Sequence, residues 1–274
     1  MATTRLVMTL VLAIGLAGAA QFVCASRAEG QQIPAPIEVY KGRRIAQTMH
    51  FMGAEWLIRD TREREERCSV MLTALGVKRG MTICDMGCGN GFYTLQMAKM
   101  VGPEGHVYGV DIQPEMLKML NDRGDQMGVR NFTPVLGTGY DPRLPKGKVD
   151  LILCVDVYHE FSYPEPMLKA MREALSPRGA VVLVEYRAED QNVPIKPEHK
   201  MTKAQIKKEL LPNGFKLVKE FDRLPWQHMM WFARNDAQAF EPEEPSEPSE
   251  DEPKPKTRAK TPDDDPDAPQ PDDN

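Results

Sequence analysis

Two aspartates and three glycines between residues 85 and 111 are the side chains of this sequence best placed to do chemistry. The run Asp85-Met86-Gly87-Cys88-Gly89-Asn90-Gly91 follows a short apolar stretch and precedes a helix-like segment, after which comes Val107-Tyr108-Gly109-Val110-Asp111. The pattern is a strand ending in an acid, a loop with glycine at alternate positions, a helix, and a second strand ending in an acid. Such a loop suits a nucleotide-like cofactor, because glycines let the backbone turn tightly and leave free the space a ligand needs. A dinucleotide pyrophosphate loop is disfavoured. It needs glycine at its first, third and sixth positions, and the sixth position from Gly87 is Phe92.

A second constellation, Asp156-Val157-Tyr158-His159-Glu160-Phe161, follows an apolar run at residues 149–155. His159 is the leading candidate for a general base, since an unperturbed imidazole titrates near neutral pH. Glu160 and Tyr158 come next. A histidine that merely caps the strand end is the alternative reading. No metal is expected here, because His159 and Glu160 are adjacent in sequence and adjacent side chains point differently in most backbones.

The loop Asp85 to Gly91 matches, without a gap, the acid-x-Gly-x-Gly-x-Gly motif of the class I S-adenosylmethionine (SAM) dependent methyltransferases, which this chain resembles. The resemblance implies SAM as cofactor and in-line methyl transfer to an acceptor. It places Asp85 near the cofactor's ammonium, Asp111 on both ribose hydroxyls with Ile112 beside it, and Gly87, Cys88, Gly89 and Gly91 along the loop. Many members present an acid to the adenine after the third strand; here the stretch offers Thr138, Tyr140 and Asp141, and all three stay open. Asp156 stands where the cofactor and acceptor pockets of the family meet. The acceptor implied is a small molecule, and no run of positive charge points to nucleic acid. A binding protein that keeps the SAM pocket without turnover is the competing reading.

The elements that must hold these residues alternate between strand and helix. Phe92, Leu95 and Ala98 repeat at helical spacing, as do Met116, Leu117 and Leu120 after Pro114. Residues 132–136 read as a third strand. The apolar runs at 149–155 and 180–185 read as strands covered on both faces. Thr202 and Gln205 form a capping box that opens a helix, and two closely joined strands, 215–221 and 227–232, must be antiparallel. The expected fold class is α/β: a Rossmann-like class I methyltransferase fold, with a mostly parallel seven-stranded sheet, helices on both faces and an antiparallel C-terminal strand pair. Residues 80–236 form this SAM-binding domain. Residues 43–79 read as an N-terminal helical cap whose charged run at 59–67 suits an exposed face, with His50, Trp56 and Arg62 as candidates for a lid or substrate wall.

The ends read differently. One early cation, Arg5, precedes an uncharged apolar run at residues 6–20, and the small residues around Cys24 and Ala25 supply a cleavage point. Residues 1–25 therefore read as a signal peptide and 26–42 as a linker, which implies export to a periplasmic or extracellular space with no stable membrane span after cleavage. An uncleaved inner-membrane anchor is the alternative. Residues 240–274 form an acidic, proline-rich tail expected to be disordered. From residue 241 onward thirteen acids face four bases, so the total charge of −5 conceals a remainder of about +4. With Cys24 removed, Cys68, Cys84, Cys88 and Cys154 remain, scattered without the paired spacing of a zinc site and expected as buried thiols.

Overall fold

The computed structural model of the protein describes residues 35–237. The expected signal peptide, the start of the linker and the acidic tail lie outside the described residues. Among those described, no helix is long and apolar enough to cross a membrane.

The chain enters through a two-residue hairpin, β1 (Val39–Tyr40) and β2 (Arg43–Arg44), then a 3₁₀ helix Phe51–Ile58, α1 (Arg62–Glu66) and α2 (Cys68–Leu75). Alternation follows with β3 (Thr82–Met86), α3 (Phe92–Val101), β4 (His106–Asp111), α4 (Pro114–Met127), β5 (Phe132–Leu136), β6 (Val149–Val155), α5 (Pro164–Ala174) and β7 (Leu175–Arg187). The chain closes with β8 (Lys200–Met201), α6 (Lys203–Leu210), β9 (Phe215–Phe221) and β10 (Gln227–Arg234).

The strands form one sheet in the order β5-β4-β3-β6-β7-β10-β9, with β8 paired to β7 off that path. Pairings from β5 to β7 are parallel, whereas β10 runs antiparallel to both β7 and β9. The short parallel strand β8 makes eight where seven were expected. Its two residues carry no hydrophobic alternation that a sequence would betray, and pair only because the loop after β7 returns beside Tyr186 and Arg187. Strands β6 and β7 read as apolar runs because helices cover both their faces, and Ile152, Leu153, Cys154 and all of residues 180–184 are inaccessible to solvent. The sheet thereby separates two hydrophobic layers, one around Leu95, Met97 and Trp231 and the other around Ile152, Leu168 and Phe232. Thr202 caps α6 as its sequence implies, accepting from the Gln205 amide at 3.0 Å, but the Gln205 side chain turns to Glu209 and the Lys41 carbonyl instead of closing the box.

The N-terminal cap departs from the continuous helix expected over residues 43–75. It is a hairpin, a 3₁₀ helix and two short α-helices, broken where Arg67 adopts φ 51°. Its charged run is exposed only in part: Asp60, Glu63, Arg64 and Arg67 face solvent as expected, whereas Arg62 and Glu66 are buried. The guanidinium of Arg62 donates to Glu66 at 2.8 Å and to the Leu57 carbonyl at 2.6 Å, and lies over the rings of Phe92 and Tyr93. Glu66 also accepts from Arg59 at 2.6 Å and from the Tyr186 hydroxyl at 2.9 Å. The i,i+4 pair that looks like solvent-facing decoration is a buried network joining the cap to β7.

Candidate functional site

The change in direction of the strand order at the β3–β6 boundary decides where a ligand can sit. The sheet runs outward through β4 and β5 on one side and through β6 and β7 on the other, which opens a crevice beyond the carboxyl ends of the strands. A cavity of about 440 Å³ occupies that place, inside the size range of small-ligand pockets. Its floor comes from Gly87 and Gly89 after β3, Asp111 and Ile112 ending β4, Thr138 after β5 and Asp156 after β6.

Asp111 is the best-anchored acid in it. One carboxylate oxygen accepts from the Gly89 amide and the other from the Gln113 amide, each at 2.9 Å. Burial raises its pKa above the usual carboxylate value against the pull of those amides. Each oxygen keeps a further lone pair, so the two together can receive a vicinal diol. Gln113 in turn ties down the cap: its side chain accepts from the Phe51 amide at 2.8 Å and donates to the Met49 carbonyl at 2.9 Å. Met49, Trp56 and Leu57 thereby wall the cavity, and Arg62 joins them. His50 does not. It caps the 3₁₀ helix through Nδ1, which accepts from the Met52 amide.

The glycine loop works differently from the simple reading that its glycines spare room for a ligand. Gly87 (φ 67°) and Gly91 (φ 81°) hold left-handed backbone, and a Cβ on either would lie 2.3 Å from a protein side chain, Val157 and Leu120 respectively. A Cβ on Gly89 would meet Leu57 at 2.5 Å. The glycines let the loop pack closely under β6, α4 and the cap, which brings the Gly89 amide to Asp111.

Several expected residues stand outside the cavity lining. Asp85 is buried behind the loop, accepting from the Thr94 hydroxyl at 2.5 Å, and burial pushes its carboxyl up to about 6. Cys88 and Gly91 face inward, and Cys68, Cys84, Cys88 and Cys154 are all buried free thiols. Tyr140 packs edge-on against Tyr163, and Asp141 accepts from the Arg143 amide in its own turn. Of the three adenine candidates, Thr138 alone lines the cavity. Tyr158 is fully buried in the core with its hydroxyl donated to Glu209 at 2.9 Å.

Asp156, His159 and Glu160 do line the cavity. Asp156 sits at φ 51° and accepts from the Gln227 side chain at 2.7 Å through one oxygen. Its other oxygen is buried and has no hydrogen-bond partner among the described residues. Burial first, and then the nearby Glu66 and Glu185, raise its pKa well above the ordinary value. A cation in the cavity would satisfy that oxygen and relieve the cost of burying it. SAM brings a sulfonium, an ammonium and a ribose diol, so the unsatisfied Asp156 oxygen and the anchored Asp111 carboxylate fit its chemistry.

His159 is held on every side. Its Nδ1 meets Glu185 at 2.6 Å, its Nε2 meets His199 Nδ1 at 3.1 Å, and its carbonyl accepts from Arg43 at 2.8 Å and the Ala46 amide at 3.1 Å. Burial works against its charge, but the Glu185 carboxylate outweighs this and raises its pKa. That leaves less free base at neutral pH than an ordinary histidine has. Glu160 does not point away from its neighbour as expected. The 3₁₀ turn Tyr158–Glu160 brings its carboxylate to 4.0 Å from His159 Nε2, and burial pushes it up to about 7. His199 and Glu185 carry no signal in the sequence: Glu185 reads as one more residue of an apolar strand, and His199 ends a single 3₁₀ turn, Pro197–His199, forty residues downstream.

This sheet order, with its reversed last pair and its cavity above the glycine loop, is the class I methyltransferase architecture. A family model described as a methyltransferase domain matches residues 77–236, and the chain belongs to this family of SAM-dependent methyltransferases. It is 28% identical over 148 residues to a protein-L-isoaspartate O-methyltransferase of Ignicoccus hospitalis, covering 53% of this chain and 65% of that protein. It is 29% identical to the ubiquinone/menaquinone biosynthesis C-methyltransferase UbiE of Azotobacter vinelandii, covering 57% of this chain and 62% of that one. The match thus spans less than two thirds of either relative. In fold, it superposes on a SAM-dependent methyltransferase from Aquifex aeolicus with TM-score 0.64 at 23% identity, covering 68% of this chain and 98% of the other. A structure of the cyclase SpnF also superposes, with TM-score 0.53 at 14% identity, covering 63% of this chain and 82% of the other.

Proposed function

We propose that this protein transfers the methyl group of SAM to a small-molecule acceptor by in-line displacement. The observation that carries the reading is Asp111, a buried carboxylate held by two backbone amides at the end of β4 with its remaining lone pairs on the cavity. Asp111 would take the ribose hydroxyls, and the unsatisfied Asp156 oxygen would accept from the ammonium of the methionyl end. SAM brings an electrophilic methyl group on positive sulfur, so orienting the acceptor supplies much of the rate. The protein's part is to close the cavity with the cap and to hold the acceptor beside His159, Glu160 and His199.

A small acceptor is favoured by the walls, to which the loop after β7 adds Pro194, Ile195 and Lys196 and the cap adds Met49. The relatives carry names that point to a protein acceptor in one case and to quinone biosynthesis in the other. We also read the N-terminal segment as an export signal, which would place the enzyme where SAM must be supplied. That circumstance favours keeping a SAM-binding role without turnover as the second reading. The test is calorimetric titration of the purified protein with SAM and S-adenosylhomocysteine, followed by an acceptor screen read as S-adenosylhomocysteine release. Binding with turnover supports the enzyme, binding without turnover on any acceptor supports the second reading, and absence of binding by the folded protein overturns both.

A further inference from the structure

The acceptor end of the cavity contains a donor set that methyl transfer by orientation alone does not use. His159 Nε2, His199 Nδ1 and a Glu160 carboxylate oxygen all lie within 4.8 Å of one another, from two separate segments of chain, and all three residues line the cavity. The two ring nitrogens are 3.1 Å apart. Two nitrogens each about 2.1 Å from one ion would be separated by this distance at an angle of about 95°, between octahedral and tetrahedral geometry. The Glu160 oxygen lies 4.0 Å from His159 Nε2, inside the roughly 4.2 Å that two ligand atoms each about 2.1 Å from one ion can span.

The surroundings of His159 are those of a metal ligand. Its Nδ1 is bound to the fully buried Glu185 at 2.6 Å, and Glu185 is oriented in turn by the Tyr158 amide at 3.0 Å. With the Nδ1 proton committed to that carboxylate, the Nε2 lone pair is turned toward His199 and the cavity. A carboxylate behind the imidazole fixes its tautomer and orientation and increases its basicity as a ligand. The carbonyl of His159, held by Arg43 and the Ala46 amide, fixes the backbone from which the ring projects.

We propose that His159, Glu160 and His199 bind one divalent transition-metal ion of the zinc type, with an open coordination position facing the cavity for an ionisable oxygen of the methyl acceptor. Two histidines and one carboxylate with an open position form a recurrent zinc site that acts as a Lewis acid. The role in transfer rests on the methyltransferase reading; the metal site itself does not. An acceptor hydroxyl would bind as its oxyanion, its proton having passed to solvent. The oxygen lone pair then forms the bond to the methyl carbon while the carbon–sulfur bond breaks, and sulfur keeps that electron pair as the neutral thioether S-adenosylhomocysteine. The acceptor class this predicts is a phenol, enol or other hydroxyl compound.

The experiment uses the full chain stripped of metal by chelator and titrated calorimetrically with zinc chloride, with cobalt(II) as a spectroscopic probe. Wild type is expected to bind one equivalent of zinc tightly and to give the visible absorption of nitrogen- and oxygen-ligated cobalt. His199→Ala and Glu160→Gln should each weaken that site by more than about 100-fold, and Glu185→Gln by about 10–100-fold. His199 is part-exposed at the end of the 3₁₀ turn Pro197–His199, so its variant is expected to keep the fold, which circular dichroism checks. Failure of the folded wild type to bind zinc, or equal binding by His199→Ala and Glu160→Gln, overturns the site and leaves the two histidines sharing a proton. A SAM titration of the same stripped protein separates the two ideas: SAM binding without zinc binding removes only the metal, and zinc binding without SAM binding removes only the methyltransferase reading.

Discussion

Replacing Asp111 tests the cofactor reading most directly, and the structure sets the size of the effect. In Asp111→Ala both carboxylate oxygens disappear, and with them the partners of the Gly89 and Gln113 amides. If the two ribose hydroxyls each donate to Asp111, two charge-assisted hydrogen bonds are lost, worth about 1.5–3 kcal/mol apiece before water refills the gap. Taking about 3 kcal/mol as the net loss, the dissociation constant for S-adenosylhomocysteine should rise by about 10²-fold. Asp111→Asn sharpens the test. The amide group offers one acceptor where two backbone donors converge, so one of them must face an NH₂ group. Asn should therefore recover only part of the affinity. Calorimetric titration of wild type and both variants, with thermal unfolding as a check on the fold, provides the measurement. A change below about threefold in folded Asp111→Ala would refute the assignment of Asp111 to the cofactor.

Other expectations follow from individual sites. His159→Ala should leave SAM affinity nearly unchanged and slow turnover by about 10²-fold or more, and unchanged turnover would remove the histidine from the reaction. Glu66→Ala strands the buried guanidinium of Arg62 and removes one of the two carboxylates that hold Arg59, which keeps Glu65, and should cost about 3–5 kcal/mol in urea denaturation; a loss under about 1 kcal/mol would show that solvent reaches Arg62. Gly91→Ala places a methyl 2.3 Å from Leu120 at φ 81°, and should destabilise by about 2 kcal/mol or more as read from the unfolding midpoint. Asp85 gives a pH signature. Its carboxyl is raised from 3.8 to about 6 by burial, so between those values the native state holds more protons than the unfolded chain, and stability falls as pH rises through that window by about 3 kcal/mol in total. Asp85→Asn should flatten that part of the stability profile, and an unaltered profile would show that Asp85 is ionised without cost.

The strand-ending acids, the glycine spacing, the buried runs of β6 and β7 and the reversal in β9 and β10 were legible because each is a local pattern. Apolar runs mark strands covered on both faces, and left-handed turns admit glycine readily. The sheet order came through the resemblance that these local patterns triggered, since alternation alone does not say which strands are neighbours. Charge at helical spacing was misleading: residues 59–67 have the periodicity of an exposed face, yet Arg62 and Glu66 are buried because the cap folds back over α3 and β7. Periodicity reports which residues share a face; it does not report what that face meets.

What the sequence alone determined, then, is the fold class and the cofactor loop, because both are written in residues close together in the chain. The tertiary structure decided the chemistry at the far end of the cavity. Asp85, Tyr140, Asp141 and Tyr158 stand at the right places in sequence and yet line no part of the cavity, since the direction of a side chain depends on the neighbours it packs against. His159 meets Glu185 twenty-six residues on and His199 forty residues on, across a strand and a loop whose separation in the chain carries no signal. Contacts of that kind are set by how β6, β7 and the following loop pack together, and only the folded chain displays them.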